Sequence, residues 1–498
     1  MPGSHPILDC DAAARFERTR FGGEDALEWP AMILAGKAVG RGVVAELAVA
    51  GVTVQNRTRG RVLILVGKGH NGGDALLAAS ELLRKGSAWQ MEVGFVFGQN
   101  RLRPLALKAW QTLQQAAGAD RVRVVRRSEI GGEYLAVLDG VFGFQFRPPL
   151  DENVIAWFEA VGRVRVSLRA AVDLPSGLGE VGAFVADATY ATGIVKTPLL
   201  GLSNAGRIRY LDLGFFDGTE DGQHRVLTAE VLQSGRALRP FQSDKRSFGH
   251  LAIVGGSRAY PGAVAMSVAA ALQSGVGVVT AFVPESVAPA MAAKWPEAMW
   301  VGCPETPDGG IAMESGLLMR AKLVRATALL IGPGLGREAE TLALVADLVR
   351  EVRIPLVLDA DALQRDLVEL GESPRILTPH QGEFYCIVAG SSPSLEELDW
   401  KVPTVAVLKG PVTRIRGNGA VYHCFEGGPV LARGGSGDLL AGLIAGRLAA
   451  KPLDLLGAAA QGVFWHGRAA QLVAIRFGET AVRTTTLIDE INPALRTL

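Results

Sequence analysis

The sequence predicts an α/β protein of more than one domain, each built on a mostly parallel sheet. Three observations predict it. Short runs rich in Val, Ile and Leu, such as residues 61–66 and 356–358, alternate with longer stretches of helical composition. Several of these runs end in glycine-bearing polar turns, where open α/β sheets place their ligands. The chain has 498 residues, more than a single core usually fills.

Hydrophobic residues make up 48% and charged residues 20%, enough apolar side chain for sizeable cores. Formal net charge is +1, so no overall field argues for nucleic acid or for a cationic partner. Cys10, Cys303, Cys386 and Cys424 are scattered without metal-type spacing, which suits a reducing cytosol better than a disulfide framework. The first ten residues hold no basic segment followed by an apolar core, so no signal peptide is expected. The longest uncharged run, residues 259–284, is broken by Pro261, Gln273 and Gly275-Val276-Gly277. A buried helix, a glycine turn and a buried strand explain it better than a membrane span. A soluble, cytoplasmic protein is expected.

In chain order, residues 31–49 read as an Ala- and Val-rich helix and 61–66 as a buried strand. The strand runs into Gly67-Lys68-Gly69-His70-Asn71-Gly72-Gly73-Asp74, read as a polar loop, with a helix over 75–85. This loop is neither a phosphate-binding GxxxxGK[ST] motif nor a clean GxGxxG. Further strands are expected at 91–97, 134–142 and 164–173, with a helix over 104–117. Two of them end in carboxylates, Asp139 and Asp173, the second followed by Leu174-Pro175-Ser176-Gly177. With Asn71 and Ser176 these oxygen donors suit a hard cation or a polar ligand, not zinc. Each Asp alone could simply cap its own turn; three strand ends meeting make that weaker.

These residues carry a resemblance. The run from Gly69 to Asp74, then Asp139 with Gly143, then Val172-Asp173-Leu174-Pro175-Ser176-Gly177, resembles the NAD(P)H-hydrate epimerase domain, and residues 186–196 resemble its later strand. The resemblance implies a Rossmann-like three-layer fold. It implies that His70, Asn71, Gly72, Gly73 and Asp74, with Gly143, Phe144, Gln145, Phe146, Arg147, Pro148 and Pro149, hold a hydrated dinucleotide. It also implies potassium on Asn71, Asp139 and Ser176, and Asp173 as the catalytic carboxylate at the substrate. Two places depart from the family pattern: its Asn-Asn pair is here His70-Asn71, and its Gly-Thr-Gly is Gly143-Phe144-Gln145. The second change puts a larger side chain at the pocket.

Residues 217–223 form a polar, glycine-bearing stretch, the best linker candidate, and set the boundary between domains 1–224 and 225–498. In the second half, strands are expected at 250–254, 328–331, 356–358, 376–377 and 405–408. They end respectively in Gly255-Gly256, in Gly332-Pro333-Gly334-Leu335-Gly336, in Asp359 and Asp361, near His380, and in Lys409. A helix of small residues starts at Gly262-Ala263. All five ends point to Arg433-Gly434-Gly435-Ser436-Gly437-Asp438, a glycine turn before an apolar helix and so a ready anion site. Lys409 and Thr413 would meet nucleotide phosphates and Gly437 offer an amide, with Asp438 as base, the division of labour phosphoryl transfer requires.

These motifs resemble the ribokinase-like fold and, more narrowly, the ADP- or ATP-dependent NAD(P)H-hydrate dehydratase, from about residue 227 onward. The resemblance implies that Ala263, Gly334, His380 and Asp438 contact the hydrated dinucleotide. It implies that Lys409, Gly410, Pro411, Val412, Thr413 and Gly437 contact the adenine nucleotide, with magnesium on its phosphates. Together the halves resemble a fused repair enzyme for hydrated NADH and NADPH, a homo-oligomer acting on small molecules, with neither nucleic acid nor membrane as partner. ADP is the expected co-substrate and ATP the alternative. A ribokinase-type kinase for a vitamin alcohol, with a non-catalytic first domain that only binds, is the rival reading. It leaves the motifs of the first half without a purpose.

Overall fold

The computed structural model of the chain describes residues 3–52, 60–117, 120–388, 394–397 and 400–497. The chain divides into two compact units. One is His5–Gly222 with Ile475–Gly478; the other is Gln223–Ala474 with Met1–Ser4 and Glu479–Leu498.

The first unit is built on seven strands. Their spatial order is Val122–Val124, Trp89–Phe95, Gly60–Val66, Glu133–Gly140, Arg165–Val172, Ala188–Thr192 and Arg207–Leu211, every neighbouring pair parallel. Successive side chains of a strand face opposite ways, and here both faces are covered. Val62, Ile64 and Val66 join a core with Val39 and Val43 of the Asp25–Val49 helix and Leu76 and Leu82 of the next helix. Leu63 and Leu65 face the other way, into a core with Trp157 and Phe158 of the Glu152–Gly162 helix. A strand apolar at every position is what a sheet covered on both sides requires. Chain order reverses between Gly60–Val66 and Glu133–Gly140, so the crevice for a ligand opens beyond their carboxyl ends.

The expected polar loop over residues 67–74 is only three residues long. The helix that follows begins at His70, capped by Gly69, and runs to Lys85. The low helix propensity of glycine hides this start. Packing decides it: a Cβ on Gly72 would lie 2.5 Å from the Gly67 carbonyl oxygen, so glycine lets the helix close onto the strand end.

Ten strands organise the second unit. The order is Met299–Cys303, Val278–Pro284, His250–Val254, Ala328–Ile331, Leu356–Leu358, Arg375–Leu377, Thr404–Leu408, Thr413–Gly417, Ala420–Cys424 and His224–Leu227. The first seven are parallel; Thr413–Gly417 runs antiparallel to both neighbours. Ala252, Val254, Leu329, Ile331, Leu356 and Leu358 share a core with Leu344, Val345 and Leu348 of the Ala339–Glu351 helix. The helices Pro261–Gln273 and Ser436–Ala450 pack on each other so closely that a Cβ on Gly442 would lie 2.1 Å from the Ser267 carbonyl. Here too the chain order reverses at the centre, between His250–Val254 and Ala328–Ile331. The apolar run 259–284 is a helix, a turn with Gly275 at φ 88°, and a strand. Among the described residues no helix is long and apolar enough to cross a membrane.

Candidate functional sites

In the first unit the ends of the Gly60–Val66, Glu133–Gly140 and Arg165–Val172 strands bring four side chains to one turn, Phe142-Gly143. Asn71 Nδ2 donates to the Phe142 carbonyl at 2.8 Å, and the Phe142 amide donates to Ser176 Oγ at 2.8 Å. The Ser176 hydroxyl donates to Asp139 Oδ1 and its amide to Oδ2, each at 2.7 Å, while the Val141 amide reaches Oδ1 at 3.1 Å. Asp139 is fully buried, and burial pushes its carboxyl up to about 6 against these hydrogen bonds. Asp173 approaches from the next strand: a Cβ on Gly143 would lie 3.3 Å from Asp173 Oδ2 and 3.6 Å from Asn71 Oδ1.

Asp173 is held in the left-handed region, φ 66°, which a residue with a Cβ adopts only where its surroundings enforce it. Its Oδ1 pairs with the buried Lys196 ammonium and takes the Thr192 hydroxyl at 3.4 Å. Both partners lie in the 186–196 stretch that resembles the family's later strand, but the sequence assigns neither a role; Lys196 is the last residue of a short strand, Val195–Lys196. Glu17 is the other residue that sequence reading misses. It lies on the Cys10–Phe21 helix, and burial, opposed by Lys196 and helped by Asp173, pushes its carboxyl up to about 7. Burial first, then Asp173 and Glu17, raises Asp74 well above the ordinary carboxylate range. The residue keeps partial exposure, yet its Oδ1 is enclosed without a hydrogen-bond partner among the described residues.

The remaining expected positions divide. His70 is exposed at its helix start and pairs with Glu28 at 2.9 Å. The amides of His70, Asn71 and Gly72 lie in the first turn of that helix, whose positive end they form. In the 143–149 segment, Phe144 lies over Lys196 with its ring centroid 4.9 Å from Nζ, and Phe146 packs tilted against Phe142, centroids 5.0 Å apart. Gln145, Arg147, Pro148 and Pro149 are exposed, away from these buried contacts.

In the second unit, Lys409 Nζ stands between carboxylates, 3.0 Å from Asp359 Oδ1 and 3.7 Å from Glu383 Oε2. Burial works against its charge, but Asp359 and Glu383 outweigh it and hold the ammonium up. Asp359 is buried and also accepts from the Thr378 hydroxyl at 2.7 Å. Separating such a buried pair costs about 3–5 kcal/mol, against about 0–1 for one in water, so Lys409 is fixed in place. A Cβ on Gly437 would lie 3.3 Å from that ammonium, which places Lys409 at the amino end of the Ser436–Ala450 helix.

Gly435, at φ 86°, caps this helix, so Gly437 and Asp438 lie in its first turn and not in the glycine loop that precedes it. The Asp438 carboxyl is pushed up to about 6, by burial first and then by Asp359, with Lys409 opposing. Ser267 holds the turn from the neighbouring helix, its hydroxyl donating to the Asp438 carbonyl at 2.9 Å.

The two carboxylates after the Leu356–Leu358 strand separate in role. Asp361 accepts from the Gly336 amide at 3.0 Å and from Arg337 at 3.2 Å, and so pins the Gly332–Gly336 loop. Gly334, at φ 64°, sits where a Cβ would be 3.0 Å from the Ala263 methyl, so these two expected positions are brought together. His380 caps the Gln381–Ile387 helix: Nδ1 accepts from the Gly382 and Glu383 amides at 3.0 and 3.2 Å. With Nδ1 an acceptor, the neutral ring carries its hydrogen on Nε2. Lys409 and His380 are neighbours through a parallel backbone bridge. Gly410, Pro411 and Val412 form the turn into the Thr413–Gly417 strand, with Gly410 and Pro411 exposed.

Comparison with known proteins gives a consistent set of relatives. A family model for NAD(P)H-hydrate dehydratase matches residues 251–493, and one for the YjeF-related protein N-terminus matches residues 31–198. The chain is 33% identical over 474 residues to a bifunctional NAD(P)H-hydrate repair enzyme of Moorella thermoacetica, covering 88% of each chain. It is 37% identical over 276 residues to an ADP-dependent (S)-NAD(P)H-hydrate dehydratase of Xanthomonas campestris, covering 54% of this chain and 94% of that one. A solved ADP/ATP-dependent NAD(P)H-hydrate dehydratase from Bacillus subtilis, co-crystallised with ATP and magnesium, is 27% identical, with a TM-score of 0.46 over 54% of this chain and 96% of its own.

The Asp361 contacts give a direct test of the loop. A hydrogen bond to a charged group contributes about 1.5–3 kcal/mol. In Asp361→Ala the amides of residues 334–336 are therefore expected to exchange with solvent deuterium at least about tenfold faster, while those of the Leu356–Leu358 strand keep their rate. Equal protection in variant and parent would mean that the loop is held by its own turns.

Proposed function

The chain belongs to the family of bifunctional NAD(P)H-hydrate repair enzymes, and from that premise we propose how its side chains divide the work. It repairs hydrated NADH and NADPH: R and S hydrates are exchanged by the epimerase part, and the S hydrate is returned to NAD(P)H by a nucleotide-dependent dehydratase part. We place the epimerase in residues 1–224 and the dehydratase in 225–498.

The second reaction turns a poor leaving group into a good one. Hydroxide leaves carbon 6 of the nicotinamide ring slowly; phosphate leaves readily. Asp438 takes the proton of that hydroxyl as the terminal phosphoryl group of ADP, or of ATP, transfers to its oxygen, and loss of phosphate with the carbon 5 proton restores the ring. Lys409 neutralises charge on the phosphates, and the amides at the start of the Ser436–Ala450 helix face them. Magnesium would arrive on those phosphates. Among the described residues no cluster of three or more His, Cys, Asp or Glu forms a metal cage, which fits an ion carried by its nucleotide. Gly334 packs against Tyr260 and Ala263, which joins the start of the Pro261–Gln273 helix to this loop beside the ligand, and exposed His380, its Nε2 3.5 Å from Glu383 Oε1, offers Nε2–H. One observation carries the reading: the Lys409 ammonium stands at the same helix turn as a half-buried carboxylate with a raised pKa.

In the first unit, Asp173, in the form that carries a proton on Oδ2, gives it to the departing hydroxyl of the R hydrate, which leaves as water while the ring nitrogen's pair forms the C=N bond. Water then adds to the other face and returns its proton to the carboxylate. The oxygens at the Phe142 turn fit potassium: Asp139 brings one buried negative charge among neutral amide, carbonyl and hydroxyl groups, a donor set for a hard monovalent cation. Asn71, Asp139 and Ser176 would hold it, and its charge would steady this turn beside the substrate.

Three outcomes are expected. Asp438→Asn keeps size and shape, so ADP-dependent dehydration of the S hydrate should fall about 10² to 10⁴-fold while R/S exchange in the same preparation persists; dehydration near the parent rate would reduce Asp438 to a helix-turn residue. A base must be ionised to take a proton, so kcat/KM for dehydration should rise with pH through about 6 and level off above it, and a flat profile from pH 5 to 8 would remove this assignment. Asp173→Asn should slow R-to-S exchange at least about a hundredfold, read against the spontaneous rate. Undiminished exchange would move the proton work elsewhere.

A further inference from the structure

The Lys196–Asp173 pair has a geometry that a simple strap between strands does not require. Lys196 is 1% exposed, and a buried ammonium is kept only where a partner offsets its lost hydration. Both donors that reach Asp173, the Lys196 ammonium and the Thr192 hydroxyl, fall on Oδ1. Oδ2 has no hydrogen bond among the described residues and faces the space over Gly143, within 3.3 Å of where a Cβ there would stand, on the side of Asn71 Oδ1. One carboxylate oxygen is therefore anchored and the other presented.

Two further features hold this arrangement. The left-handed backbone at Asp173 is held by a hydrogen bond from the Asp173 amide to the Tyr190 carbonyl, 2.9 Å. The Phe144 ring covers the ammonium, 4.9 Å from Nζ, and so packs against the ion pair. A cation against an aromatic face in a dry site is held more strongly than in water.

We propose that Lys196 is a positioning residue of the epimerase: by occupying Asp173 Oδ1 it presents Oδ2 to the hydroxyl of the hydrated nicotinamide ring, with Phe144 closing the cation off from solvent. This rests on the epimerase reading above and extends it to a residue that the sequence marks only as the end of the 186–196 stretch. Lys196 acts through Asp173 and touches no reacting atom. Its removal lets the carboxylate rotate, and misplacement by about 1 Å costs on the order of a hundredfold in rate.

The test uses the full chain and the purified R hydrate. In Lys196→Ala, kcat for R-to-S exchange is expected to fall at least about a hundredfold with KM changed far less. Millimolar n-propylammonium, the fragment the truncation removes, should restore at least about tenfold of it. 1-Propanol, of equal size and without charge, should restore none. Undiminished exchange, restoration by both additives, or restoration by neither would overturn the proposal. ADP-dependent dehydration of the S hydrate and circular dichroism in the same preparation report folding. Should Lys196→Ala fail to fold, Lys196→Met refills the volume without the charge, and exchange at the parent rate in that variant would overturn the proposal equally. A parent protein that exchanges R and S no faster than buffer would refute the epimerase reading itself, whereas active parent protein with an undiminished variant would refute Lys196 alone.

Discussion

A parallel sheet covered by helices on both faces has its polar freedom mainly at its ends, and this constraint shapes both units. Val62 through Val66 are apolar at every position because each side chain meets a helix. A carboxylate inside a strand needs cations of its own, as buried Glu92 of the Trp89–Phe95 strand has in Arg61 and Arg123; the others gather where strands stop. Asp139 and Asp173 stand at or just beyond strand ends in one unit, and Asp359 does so in the other. Parallel strands end on one side together, so these groups gather at the reversal of strand order without any further device.

Gathering carboxylates in a dry crevice sets up competition, and different partners settle it. Asp359 is matched by Lys409 and Thr378, Asp173 by Lys196 and Thr192. Asp139 has hydrogen bonds but, among the described residues, no cation in contact, and burial wins there. Asp438 lies beside Lys409, yet Lys409 is already committed to Asp359, so burial again prevails. In the second unit a carboxylate for charge balance, Asp359, and a carboxylate free to carry a proton, Asp438, thus arise from the same residue type by the commitment of one lysine.

The strands and their polar ends were legible because β-branched runs followed by glycine and Asp are local patterns. Ala328–Ile331 and His250–Val254 fall where the sequence places them. The helix starts were not, since three glycines in five residues read as loop until tertiary contact forces Gly72 and Gly435 into cap and first-turn roles. Motif residues such as Asn71 and Asp438 were legible; Lys196, Thr192 and Glu17 were not. Their roles come from contacts made across 19 or more residues of chain, and a lone Lys at a strand end has the same sequence signature whether solvated or buried. Within the motif-derived segment 143–149, resemblance marks every position alike, while the structure turns Phe144 and Phe146 inward and leaves Gln145 and Arg147 outside.

The left-handed backbone of Asp173 has a consequence for how this protein could change. Glycine there would relieve about 1–3 kcal/mol of conformational strain. It would also strand the Lys196 ammonium in a dry site, at about 3–5 kcal/mol. The second figure wins, so a single loss of Asp173 lowers stability even where its chemistry is not needed. A lineage released from selection for that chemistry escapes through both positions, with Lys196 becoming apolar before or with the loss of Asp173. The two residues are therefore expected to drift as a pair, and a homologue retaining only one of them would be the rarer kind.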